Sequence, residues 1–107
     1  MSTATSTEFN PEYFKAIFGE DAAEWKEFVQ VNLKTYRNGY QNLQSASEHR
    51  NMSEVKEIRH ALGPTLQQWN AVTLEQGLLA LDMDNIAANW PPLRAEFEAL
   101  ISALEGL

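Results

Sequence analysis

The stretch Ser53–Trp69, SEVKEIRHALGPTLQQW, decides the fold. Wound as a helix at about 100° per residue, it gathers Val55, Ile58, Leu62, Leu66 and Trp69 into a stripe about 80° wide. His60 falls about 150° from the centre of that stripe. Lys56, Pro64 and Gln67 are its nearest neighbours on the outer face, with Gly63 slightly further round. One side therefore belongs to a core, and the other offers an imidazole to water among small and polar groups. Pro64 has no amide proton for the His60 carbonyl and its ring crowds that carbonyl, so a local bend is expected. Leu66 and Trp69 stay in phase with Val55 to Leu62 across the proline, so the segment reads as one bent helix rather than two.

Outward from this segment, every run with a clear period is helical. Asn10-Pro11 starts a short helix, because Asn can cap and Pro suits the first helical position. Tyr13, Phe14, Ile17 and Phe18 form its apolar face, and Gly19 ends it. A long helix is expected from Asp21 to Ala46, where Trp25, Val29, Leu33, Tyr36, Tyr40 and Leu43 recur at steps of three and four, with Phe28 beside them. Gly39 interrupts it at a cost of about 1 kcal/mol relative to Ala. SASEHRNM breaks the pattern, and Ser53 is the expected cap of the central helix. Asn70 tolerates the left-handed conformation that would terminate that helix. Thr73 and Gln76 read as a capping box for the next one, which carries Leu74, Leu78 and Leu81. A turn is expected over Asp82 to Asn89. Trp90-Pro91-Pro92 then opens a last helix striped by Leu93, Phe97, Leu100, Ile101 and Leu104. The expected fold is all-α: an antiparallel up-down-up-down four-helix bundle with a short extra N-terminal helix. It spans residues 9–107, behind a disordered tail over residues 1–8.

At 107 residues the sequence provides for one domain. A hydrophobic share of 44% suits a folded protein with a real core. The absence of cysteine excludes disulfides, thiolate metal sites and a cysteine nucleophile. A net charge of −7 argues against nucleic acid, whose phosphates it would repel, and suits a protein partner with a basic rim. No run reaches membrane-spanning length, and MSTATSTEF lacks the positive start and apolar run of a signal peptide; a cytoplasmic monomer is expected. His49 lies in the polar break and reads as surface. His49 and His60 lack the i, i+4 spacing of a helical metal pair, so no metal site is expected. Glu96, Glu98 and Glu105 read as a solvated face of the last helix.

From His60 to Asp82 the sequence resembles the histidine-containing phosphotransfer (HPt) domain, the four-helix module that relays phosphoryl groups in multistep two-component signalling. The family pattern is roughly His-x-Leu-Lys-Gly, then a Gly-Ala pair, a spaced leucine and a closing Leu-Glu. His60 and Leu62 match it, and Thr65 fits the small residue that follows. Asn70-Ala71 stands for Gly-Ala, and Leu74 and Leu81-Asp82 fall at the later positions. The family's Lys and Gly are replaced by Gly63 and Pro64, which keep space but lose the positive charge. The resemblance implies that His60 is the phosphoryl acceptor, with Lys56 supplying charge in place of the missing lysine and Gln67 a hydrogen bond. Gly63 and Pro64 would keep the approach open.

It further implies partners that are receiver domains of response regulators or hybrid histidine kinases. These would bring the aspartyl phosphate, a divalent metal and a lysine, so that this chain needs no cofactor. Tyr13, Phe14 and Phe18 would provide an apolar docking patch flanking His60. Imidazole in water titrates near pH 6.5 and is a nucleophile in its neutral form. Phosphoryl transfer asks little of the acceptor beyond position and charge neutralisation. The absence of a Gly-rich phosphate cradle speaks against kinase activity and for a phosphoryl carrier. Two other readings compete: a degenerate HPt-like bundle that binds a receiver or another signalling protein without phosphotransfer, and a purely structural helical domain.

Overall fold

A computed structural model describes residues 9–82 and 84–107. The expected tail over residues 1–8 lies outside the described residues. Among the described residues five helices follow in order: α1 (Glu12–Phe18), α2 (Ala22–His49), α3 (Met52–Gln68), α4 (Val72–Ala80) and α5 (Ile86–Glu105). No strand occurs among the described residues. The described part of the chain is all-helical, as the periodicity predicts. α2 packs on α3 and α5, α3 on α4, α4 on α5, and α1 lies on α2. No helix among the described residues is long and apolar enough to cross a membrane.

Apolar stripes meet in the interior. Val29, Leu33, Tyr36 and Leu43 come from α2; Val55, Ile58, Leu62 and Leu66 from α3; Leu74 and Leu78 from α4; and Trp90, Leu93, Phe97 and Leu100 from α5. All are buried, and together they exclude water from one continuous core. The end holding α1 is aromatic. Trp69, just past α3, stacks on Phe9 at 5.5 Å and meets Phe14 at 4.4 Å between ring centroids. The Asn10 amide donates to the Trp69 carbonyl at 2.9 Å, which ties the chain entering α1 to the end of α3.

Several boundaries differ from the sequence reading, each for a local reason. α2 runs beyond Ala46 to His49, and Arg50 ends it in the left-handed conformation at φ 53°. α3 starts at Met52 rather than after Ser53, because the Asn51 side chain accepts from the Glu54 amide at 3.1 Å and caps it. α4 starts at Val72 with no side-chain bond from its capping position, Ala71, so the expected Thr73 cap is displaced. α5 begins at Ile86 and passes through Pro91 and Pro92, instead of starting at them. Its start is set by a compact turn. The Asp82 carboxylate accepts from the Asp84 and Asn85 amides at 2.9 and 3.0 Å, while the Asn85 side chain accepts from the Asp82 amide at 2.9 Å. Ile86 is then buried. Gly19 at φ 58° and Asn70 at φ 61° terminate α1 and follow α3 as read from sequence.

Candidate functional site

α3 remains one helix across Pro64. Its inner face is Val55, Ile58, Leu62 and Leu66, all buried, and its outer face carries the exposed His60. The absent amide of Pro64 leaves the His60 carbonyl without its helical partner on this exposed side. An interior proline costs a helix about 3 kcal/mol relative to alanine, against about 1 kcal/mol for the entropy that alanine returns to the unfolded chain. Pro64 is exposed, so little packing is lost with it. Pro64→Ala therefore raises the unfolding free energy by about 2 kcal/mol in urea titration. A variant no more stable than wild type would mean that the helix bears no cost at the proline.

An open depression of about 620 Å³ surrounds His60. From α3 it takes Lys56, Gly63, Pro64 and Gln67, so all four residues expected beside the imidazole share one surface with it. Gly63 leaves the floor open: a Cβ built there meets nothing within 4 Å. Arg59 from α3 and Glu75 and Leu79 from α4 complete the lining. These three were not found by sequence reasoning. Their signal is the spacing of Glu75 and Leu79, four apart on the outer face of α4, which becomes meaningful only once α4 is laid against α3.

The charges in the depression have different commitments. One guanidinium nitrogen of Arg59 lies 3.3–3.4 Å from the carbonyl oxygens of Leu78, Leu79 and Leu81. It thus serves the C-terminal end of α4, where unpaired carbonyls and the helix dipole favour a cation. Glu75 accepts from the Gln67 side-chain amide at 2.7 Å. Lys56 makes no ion pair among the described residues, which leaves its ammonium available to an incoming anion. No group of three or more His, Cys, Asp or Glu among the described residues could hold a metal ion. The other histidine, His49, is exposed, with Nδ1 2.9 Å from the Ser45 carbonyl oxygen.

The expected docking trio is divided. Tyr13 is 54% exposed, and its hydroxyl accepts from the Gln68 side chain at 3.5 Å. A second depression, of about 410 Å³, holds Tyr13 and Asn10 and adjoins the first at Gln67. Phe14 does not belong to a surface patch. It is only 6% exposed, with its ring among Tyr13, Phe28 and Trp69. Phe18 is half-buried against Phe28 and Trp25. The exposed apolar side chain of α1 besides Tyr13 is Ile17. A helix of about two turns that meets Trp69 and Phe28 turns Phe14 and Phe18 inward and leaves Tyr13 and Ile17 in water.

Beside α3, Tyr36 of α2 is fully buried against Thr65, and burial pushes its phenol well above the usual tyrosine range, with the Thr65 hydrogen bond opposing. The folded state thus keeps Tyr36 neutral where the unfolded chain ionises. The stability tied to this proton is fully present below pH 10 and drains as pH rises from there toward the raised folded value. Loss runs at about 1.4 kcal/mol per pH unit. Chemical denaturation between pH 9 and 11.5 should show wild type losing stability faster than Tyr36→Phe; parallel curves would remove Tyr36 as the cause.

The depression thus brings an exposed imidazole together with an ammonium from one helical turn earlier on the same helix. Comparison with family models, with curated proteins and with solved structures finds no match.

Proposed function

We propose that the chain is a phosphoryl carrier of the HPt kind: a four-helix bundle, α2 to α5 with α1 as an added N-terminal helix, that accepts a phosphoryl group on His60 and passes it on. The observation that carries this reading is the exposed imidazole lining an open depression, on a helix whose other face is core. In the incoming step a ring nitrogen of His60 directs its lone pair at the phosphorus of a receiver's aspartyl phosphate. The N–P bond forms, the P–O bond to the acyl group breaks, and the aspartate carboxylate leaves with the electron pair. In the outgoing step a second receiver's carboxylate attacks phosphorus, the N–P bond breaks, and the imidazole recovers its lone pair.

Lys56 neutralises phosphoryl charge, Gln67 contributes a hydrogen bond, and Gly63 and Pro64 leave room for the partner. The divalent metal of the reaction belongs to the receiver. Tyr13, joined to the His60 surface through Gln67, is the docking residue retained from the original trio, and the setting is the cytoplasm.

A second reading, receiver binding without transfer, is favoured by one specific observation. With Arg59 turned to the end of α4, Lys56 is the one cation of the depression left for a phosphoryl group. Incubation with a panel of receiver domains charged by acetyl phosphate separates the two. Transfer predicts acid-labile, alkali-stable phosphate on this chain. Tight association without label would establish the binding-only reading, and neither label nor association would leave a structural domain.

A further inference from the structure

Three positions along α2 meet α3 in antiparallel register. A Cβ on Gly39 would stand 2.9 Å from a methyl of Leu62. One turn earlier, the Tyr36 hydroxyl lies 2.5 Å from the Thr65 hydroxyl. A further turn back, the buried Asn32 accepts from the Trp69 indole at 3.3 Å and donates to the Phe28 carbonyl at 2.9 Å. Thr65 spends its one hydroxyl proton on the Leu62 carbonyl at 3.0 Å, so Tyr36 is the donor of the pair.

These contacts bracket the weakest point of the helix. Leu62 lies before Gly63-Pro64, and Thr65 and Trp69 lie after it. Here α3 has a glycine, lacks one of its own hydrogen bonds, and contains a ring that crowds the preceding turn. Where the helix lacks a hydrogen bond of its own, contacts from α2 span the gap. The direction in which the His60 Cα–Cβ bond leaves the helix follows from how the helix is held across Pro64. Most of these partners are buried, so their hydrogen bonds meet little competition from water.

We propose, on the phosphocarrier reading above, that Tyr36 and Thr65 are positioning residues for His60. Their hydrogen bond holds the helix in place across Pro64 and so aims the imidazole at the phosphorus presented by a docked partner. Neither touches the phosphoryl group. The clamp matters for a donor that must approach along one line and is indifferent to a small donor that diffuses in from any side.

The test compares two donors on the full chain. One is phosphoramidate, from which His60 takes the phosphoryl group as the donor's N–P bond breaks, ammonia leaves and a new N–P bond forms to the ring. The other is whichever receiver of the charged panel labels wild type fastest. Tyr36→Phe and Thr65→Val should reduce receiver transfer about tenfold while phosphoramidate labelling stays within about twofold of wild type. Thr65→Ser, which restores the hydroxyl, should recover transfer. Unchanged receiver transfer in both first variants, with wild type labelled, overturns the positioning role alone. So does a parallel fall with both donors, which is the mark of general loosening. No label on wild type from either donor overturns the phosphocarrier reading, and the positioning role with it.

Discussion

His60→Gln takes up no phosphate from any charged receiver, and its melting curve overlays that of the wild type. The two halves of this expectation rest on different facts. The side chain is exposed, so its replacement by another polar helix former changes stability by no more than about 0.5 kcal/mol. Glutamine has roughly the reach of histidine and can still hydrogen-bond a phosphoryl oxygen. Its amide nitrogen, however, has no lone pair available for attack. The loss is therefore of the nucleophile and not of affinity, and binding of a receiver to the variant should persist. Phosphate retained on the glutamine variant would place the acceptor elsewhere and end the proposal for this residue.

The largest effect on stability is expected from Trp69→Ala. Trp69 is fully buried and has the rings of Phe9, Phe14, Trp25 and Phe28 within 6.2 Å, centroid to centroid. Removing it loses the transfer free energy of an indole and opens a cavity that neighbours from several elements cannot all collapse to fill. Together these cost about 3–5 kcal/mol. Against a total of about 5–15 kcal/mol for a domain, that is enough to leave the variant partly unfolded at modest temperature. Trp69→Phe separates the contributions. It keeps a ring in the cluster but leaves the Asn32 side-chain oxygen, in a residue only 7% exposed, without its indole donor. About 1–3 kcal/mol should be lost for that reason in addition to the smaller ring. Urea midpoints for both variants decide the matter, and a fall below 1 kcal/mol for alanine would mean that α1 contributes little to the folded state.

Much of this architecture was legible because helical phase survives in sequence. Val55, Ile58, Leu62, Leu66 and Trp69 are all buried, and the uninterrupted phase across Pro64 distinguished a continuous α3 from two shorter helices. Asn70 and Gly19 were legible for the same kind of reason, since few residues tolerate positive φ. Choices between equally polar neighbours were not. Asn51 and Ser53 both make good caps, and their order was settled by where α2 ended, at Arg50, which no local pattern announces. The start of α5 was hidden because its prolines suggested a first turn, whereas Asp82 and Asn85 had already built one.

The site divides in the same way. His60, Lys56, Gly63, Pro64 and Gln67 belong to one helix and could be placed on a wheel. Glu75, Leu79 and the Tyr36–Thr65 bond depend on how neighbouring helices are rotated, and that is a property of packing. Phe14 was misassigned to a surface for the same reason, because the rings that cover it arrive from residues distant in sequence.

The uneven placement of the indoles has a practical consequence. Trp69 and Trp25 sit together at the α1 end, while Trp90 lies on α5, where its ring nitrogen donates to the Gln44 side chain at 3.0 Å. Light emitted by the first pair reports whether α1 is seated, and light from the third reports the opposite seam. A version of the chain without Trp90 would carry an optical gauge of the α1 end alone, with no dye attached. A docking partner that unseats α1 would then shift that emission to longer wavelength.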